Sequence, residues 1–292
     1  MTQHNTSSIL ITGSTGTIGS ALTQILSAQQ IPFRAMVRKP EDATQLSQLP
    51  YAEVIVGDFN DTTSIRQALQ GTKKAFLLTN SSELAEQQQL GFVAAAADAG
   101  VQHIVKLSQL KADEQSPVRF LRYHAKVENA IKASGMAYTF LRPNLFMQGL
   151  LGFRMPIIHQ GKFFATAGNA RISMIDIRDI AAVAAAALTD DQHRNKTYTL
   201  TGAEAFTHEE AAAMLSEVLQ RDIQYINVSD TELQDALVSN GFPAWQAEGL
   251  IEDYAHYARG EAADLTDDIH TVTGRTPFTF RNFVNDYADF FK

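Results

Sequence analysis

Short, nearly unbroken apolar runs alternate with longer stretches in which apolar residues return every three or four positions through the first half of the chain. The runs at 8–12, 33–37, 52–56, 75–79, 104–108 and 138–141 read as strands covered on both faces, because polar positions do not interrupt them. The stretches at 17–29, 41–48, 63–70, 83–99 and 117–133 read as helices. In the first of these, Ile18, Leu22, Ile25 and Leu26 define one apolar stripe. Gly100 and Gly135 stand just past two predicted helix ends, where a left-handed cap is wanted. Strands that alternate with helices predict βαβ units around a parallel sheet.

Beyond Pro143 the pattern changes, with glycines at 149, 152, 161 and 168 among aromatic and apolar residues. Residues 172–176 read as a strand, 177–188 as an alanine-rich buried helix and 197–201 as a strand that returns to the sheet. Helical patterns at 208–219, 231–238, 244–259 and 280–290 complete the chain. The fold class expected is α/β: a doubly wound parallel sheet with a smaller, interwoven C-terminal α/β domain. Residues 1–150 are expected to form the sheet domain, 176–202 to return to it, and 151–175 with 203–292 to form the cleft domain.

Composition narrows the chemistry. Lys+Arg 24 against Asp+Glu 32 gives a net charge of −8, which repels phosphate backbones and anionic lipid. With no cysteine there is no disulfide, thiolate metal site or cysteine nucleophile, which fits a reducing cytoplasm. The apolar run Ile9, Leu10, Ile11 is too short for a signal peptide or a membrane span. No serine-hydrolase elbow, zinc-protease helix, EF-hand loop or P-loop lysine motif occurs, and the eight histidines are scattered without metal-ligand spacing.

The most informative stretch runs from Ile9 to Gly19, a strand that passes through a glycine turn directly into an amphipathic helix. Gly13 permits the turn, Gly16 lets backbone approach a pyrophosphate, and Gly19 lets helix and strand pack closely. Gly13, Ser14, Thr15, Gly16, Thr17 and Ile18 are thus expected to cradle a dinucleotide at a helix N-terminus, the alternative being a structural turn that holds nothing. After the second strand, where a ribose-binding acid is usual, stand Arg38 and Lys39. Two cations there would attract the 2′-phosphate of NADP, so NADPH is expected to bind better than NADH; a solvated basic pair is the plain alternative. Asp58 and Phe59, closing the third strand, are candidates for the adenine end, although Asp58 could equally cap its own turn.

The stretches GSTGTIG, VRKP, GDFND, HIVKLS, HAKVENAIKASGMAYTFLRPN, MIDIRDIA and TGRTPFTFRNFV together resemble the NmrA-like branch of the atypical short-chain dehydrogenase/reductases over nearly the whole chain. The resemblance implies a Rossmann domain that binds NAD(P) and a smaller domain over the nicotinamide end. It also implies reductases for quinones, triphenylmethane dyes or phenolic ethers, or cofactor sensors and transcriptional co-regulators.

The wider superfamily pairs a serine after strand five with Tyr-x-x-x-Lys. Here Ser108 is present, but Tyr123 is followed at +4 by Val127, and Lys126 lies about 100° away around the helix. The helix offers His124 instead, on the stripe Phe120, His124, Val127, Ile131 that should meet the sheet, with Glu128 one turn later to orient it. His124 is therefore the candidate proton donor, and a hydrogen-bonded core histidine is the competing reading. Thr79, Asn80 and Ser81 after strand four, and Asn144 and Phe146 after strand six, occupy strand ends where such sheets hold ligands. Phe153, Met155, Phe163 and Phe164 are expected to form either a flat slot for an aromatic substrate or plain core. Asp176 is expected to cap the helix behind it, with Arg178 and Asp179 as salt bridges.

The leading expectation is an NADPH-dependent reductase of a quinone or aromatic dye. A cofactor sensor without turnover is the alternative, and a sugar-nucleotide epimerase is disfavoured by the displaced lysine. Expected partners are a small aromatic or quinone-like molecule and at most a second copy as a homodimer, with no nucleic acid and no membrane.

Overall fold

The computed structural model describes residues 8–44 and 46–292; residues 1–7 and Gln45, within the expected 1–150 domain, lie outside the described residues. The first half contains β1 (Ile9–Ile11), α1 (Thr17–Ala28), β2 (Phe33–Val37), β3 (Ala52–Val56), α2 (Thr62–Leu69), β4 (Lys74–Leu77), α3 (Ala85–Asp98), β5 (His103–Leu107), α4 (Arg119–Ala133) and β6 (Ala137–Pro143). There follow α5 (Arg154–Gln160), β7 (Lys162–Ala165), α6 (Ile177–Thr189), β8 (Lys196–Leu200), α7 (His208–Leu219) and β9 (Gln224–Asn227). The chain ends with α8 (Asp230–Ser239), α9 (Ala244–Ala258), α10 (Asp268–Thr273) and α11 (Phe280–Asp286).

Seven parallel strands lie in the order β3-β2-β1-β4-β5-β6-β8. Strand order reverses beside β1, so the crevice above the carboxyl ends of β1 and β4 is the place this topology reserves for a ligand. Helices cover both faces. Leu22 and Leu26 of α1 pack with Ile180, Val183 and Ala184 of α6 against one face. Ile65 of α2, Phe92 of α3 and Val127 and Ile131 of α4 fill the other. Because both faces are covered, β1, β2 and β5 are buried at every position, which explains their unbroken apolar character.

A separate core gathers Phe163, Ile172, Phe206, Leu215, Phe280 and Phe283 around the two-stranded parallel sheet of β7 and β9. The segment 144–175 runs out of the main sheet, α6 and β8 return to it, and residues beyond 202 leave again. Capping boxes at Thr207/Glu210 and Ser229/Glu232 start α7 and α8. Among the described residues no helix is long and apolar enough to cross a membrane.

Three local expectations change. In place of one helix over 41–48 there are two 3₁₀ turns, Pro40–Ala43 and Leu46–Gln48; Leu46 is their buried residue, too little to hold a helix on the core. The expected strand at 172–176 makes two isolated bridges, Ile172 with Phe206 and Ile175 with Phe146, because its successive backbone groups pair with different segments. Finally, α5, β7, β9 and α10 lie where no regular element was expected, each being seven residues or fewer.

Candidate active site

The glycine turn sits at the strand-order reversal. Gly13 has φ +63°, and a Cβ placed on Gly19 would stand 2.1 Å from the Gly13 carbonyl oxygen, so α1 lies directly against the loop with no room for a side chain. Gly16 is the N-cap of α1 and offers no side-chain cap, and the first turn carries no acid. The amides of Thr17 and Ile18 are therefore left to an outside acceptor, with the positive end of the helix dipole behind them. This arrangement fits a dinucleotide pyrophosphate. Thr12 fixes the loop from below: its hydroxyl lies 2.9 Å from the Phe76 carbonyl and accepts from the Leu78 amide at 2.9 Å.

From that turn a cavity of about 570 Å³ extends across the carboxyl ends of β4, β5 and β6. It brings together Gly13, Thr15, Gly16, Thr17, Ile18, Thr79, Asn80, Ser81, Ser108, His124, Asn144 and Phe146. Ser14 is not among these; it is buried beneath the loop and its hydroxyl donates to the Ile11 carbonyl at 2.8 Å. Arg38 and Lys39 are exposed just beyond β2, outside the cavity but on the same sheet edge, since parallel strands end together. Asp58 Oδ1 accepts from the Asn60 amide at 2.9 Å, a turn cap, and Phe59 packs on Phe92 with ring centroids 5.7 Å apart.

Among the buried polar groups in the cavity wall is His124. Its Nδ1 lies 2.8 Å from Nζ of Lys106, a lysine with no solvent exposure one residue before the carboxyl end of β5. Burial pulls Lys106 down to about 7, with Glu128 acting to raise it and Arg142 to lower it. Burial also holds His124 well below the ordinary histidine range, and the cations Lys106 and Arg142 add to that effect. The imidazole is thus neutral near pH 7.

Glu128 does not orient His124. It accepts from Ser108 Oγ at 2.5 Å and pairs with Arg142 at 2.9 and 2.6 Å. Lys126 pairs with Glu86 on the surface, so Tyr123 has no lysine partner from that position. The Tyr123 hydroxyl lies 3.4 Å from Ser81 Oγ, and burial pushes it up to about 12, away from acid or base work at neutral pH.

The aromatic slot also lies elsewhere than expected. Phe163 is fully buried in the second core with Phe153 against it, and Met155 is exposed. The cavity is instead walled by Phe120 and Tyr123 of α4, Phe146, and Leu250 and Tyr257 of α9. Arg119 holds α9 over this end: its guanidinium reaches Glu252 at 2.8 Å and Glu248 at 2.9 Å, and its amide donates to Glu252 at 2.7 Å. Asp253 on the same helix lines the cavity and accepts from Gln109 Nε2 at 3.0 and 2.8 Å; burial raises it to about 7. Asn144 turns its amide away, donating to Ser173 Oγ and the Ala262 carbonyl, both at 2.8 Å.

Sequence reading passes over Lys106, Gln109, Asp253 and Tyr257. Lys106 carries a signal, a lone cation inside an apolar strand run, where a charge is costly unless it is used. Asp253 and Tyr257 carry none, because their neighbours at the site are more than a hundred residues away in sequence.

The NmrA-like family model matches residues 5–276. This chain belongs to that family. It is 35% identical over 280 residues to an NAD(P)H azoreductase of Xenophilus azovorans, covering 96% of this chain and 98% of that protein. It is 31% identical over 283 residues to quinone oxidoreductase 2 of Escherichia coli strain K12, covering 95% and 97%. Among solved structures, the triphenylmethane reductase of Citrobacter sp. complexed with NADP(H) superposes with a TM-score of 0.86 at 31% identity, covering 96% of this chain and 99% of that one.

Proposed function

We propose that this protein is an NADPH-dependent reductase that delivers hydride to a flat conjugated acceptor, a quinone or an aromatic dye. The observation that carries the reading is the single cavity in which a bare helix N-terminus behind a glycine turn and a buried, neutral imidazole face the same space. When bound, NADPH supplies the hydride. The amides at the start of α1 hold its pyrophosphate, and Arg38 and Lys39 attract its 2′-phosphate at the sheet edge. Asp58 and Phe59 stand at the adenine end. Phe120, Phe146 and Tyr257 wall an aromatic acceptor and exclude water. His124 donates a proton to the acceptor oxygen. The relatives named above as azo, quinone and dye reductases support this acceptor class. A chain without cysteine also suits a reducing cytoplasm.

A sensor that binds cofactor without turnover is the second reading, favoured by one observation: Tyr123 lacks the lysine that would make it an acid, and Lys126 is spent on Glu86. Absorbance at the reduced-nicotinamide band, followed with a panel of quinones and azo and triarylmethane dyes, separates the two. Steady oxidation of NADPH supports the reductase. Tight NADPH binding by calorimetry with no turnover on any acceptor supports the sensor, and no saturable binding removes both.

A further inference from the structure

A fully buried lysine near the carboxyl end of a doubly covered strand needs a reason. Lys106 Nζ touches two acceptors, its neighbour's Leu107 carbonyl at 2.9 Å and His124 Nδ1 at 2.8 Å. An ammonium has donors and no acceptor, so Nδ1 must accept and the ring hydrogen must sit on Nε2. Among the described residues Nε2 has no partner, and it is not sealed from the cavity that His124 lines. The charge on one buried group thus selects which nitrogen of the other presents a hydrogen to the cavity.

We propose that Lys106 and His124 form a two-step proton relay, in which Nε2–H of His124 passes to the acceptor oxygen while Lys106 Nζ replaces the proton at Nδ1. This deepens the reductase reading and rests on it. The atoms balance. The acceptor takes one hydride, which is a proton with two electrons, and one further proton arrives at oxygen. The Nε2–H bond breaks as O–H forms, and Nζ–H breaks as Nδ1–H forms. The ring ends neutral and the lysine ends as an amine. No imidazolate is needed, and that is what the lysine adds. After product leaves, a proton from bulk solvent enters the open cavity and binds Nε2 while Nδ1–H returns to Nζ, which resets the pair.

The surrounding charges suit a lysine that gives up its proton near neutrality. Glu128 from α4 favours the ammonium, Arg142 from β6 disfavours it, and burial tips the balance. The Tyr123 ring lies tilted against the imidazole with ring centroids 4.2 Å apart, while Asp253 and Tyr257 of α9 face the same cavity.

Two measurements on the full chain test the relay. The first needs no activity: long-range proton–nitrogen NMR of the histidine-labelled protein across pH. The expected result is a neutral His124 with hydrogen on Nε2 at acidic pH. Its Nδ1 shift should move once, with a midpoint near the value of about 7 for Lys106, and Lys106→Met should abolish that movement. A His124 imidazolium titrating in the ordinary range, or hydrogen on Nδ1 at acidic pH in the wild type, overturns the proposal; neither requires the variant to fold.

The second compares two acceptors. A neutral quinone needs hydride and a proton, whereas a cationic triarylmethane dye needs hydride alone. Lys106→Met should lower the quinone-to-dye ratio of kcat by about tenfold or more, the lower range of general-acid effects. An equal fall for both makes Lys106 a packing residue and sinks the relay. Should the wild type reduce neither, the reductase reading fails, while the NMR result still decides whether the lysine sets the tautomer.

Discussion

Ser108 Oγ donates to Glu128 Oε1 at 2.5 Å, which joins the carboxyl end of β5 to the buried face of α4. Glu128 has almost no exposure and also holds Arg142 of β6, so one carboxylate ties two strands and a helix together behind the cavity. Ser108 therefore lines the cavity with its hydroxyl donated to Glu128.

Removing that carboxylate should therefore cost stability. Glu128→Ala leaves the Ser108 hydroxyl and the half-buried Arg142 without their acceptor, and a loss of about 3 kcal/mol or more is expected from a broken buried pair. Urea unfolding checks this. Glu128→Gln, which keeps one acceptor oxygen, should lose less.

Cofactor preference should follow the exposed cations after β2. Arg38→Ala is expected to weaken NADPH binding by about tenfold or more while NADH binding changes little, since a charge-assisted bond is worth roughly 1.5–3 kcal/mol. Calorimetry with both nucleotides measures the difference. Equal affinity of the wild type for the two would remove the role given to Arg38 and Lys39.

At Gly19 a single methyl group decides binding. A Cβ 2.1 Å from the Gly13 carbonyl cannot be relieved by a side-chain rotation, because the obstacle is backbone. Gly19→Ala should displace the loop, abolish saturable nucleotide binding and lower the thermal midpoint.

Stability should depend on pH through two buried groups of opposite sign. The pKa of Lys106 falls from 10.5 to about 7 on folding, so between these values the unfolded chain holds more protons and stability rises with pH. Lys106→Met should flatten that rise, by up to a few kcal/mol. The pKa of Asp253 rises from 3.8 to about 7, so its folded form holds more protons in that interval and stability falls as pH rises through it. Asp253→Asn should remove this fall and gain most, relative to wild type, above pH about 7. Denaturant midpoints across pH for the three proteins check both signs.

The sheet was legible because its strands are covered on both sides, and burial on two faces writes itself as an unbroken apolar run. The glycine turn was legible because close backbone approach leaves glycine at fixed spacing. The short elements α5, β7, β9 and α10 were not, since seven residues or fewer hold too little periodicity to detect. Phe153 and Phe163 fill the second core because apolar side chains alone do not say which of two cores receives them. Helical spacing puts His124 on the buried face and points to Glu128 one turn away, whereas the partner of the ring lies across the helix–sheet interface at Lys106. Helical spacing reports neighbours within an element and says nothing of what the facing strand brings.

Asn144 joins the end of β6 to Ser173 and to the carbonyl of Ala262, three segments drawn from distant parts of the chain. A chimaera that borrows its acceptor-facing half from a relative must therefore keep Asn144 with Ser173 and hold the backbone at 262 in place. A splice between them would strand an amide donor in the seam, and a graft chosen by sequence blocks alone would fail for that reason before its new specificity could be seen.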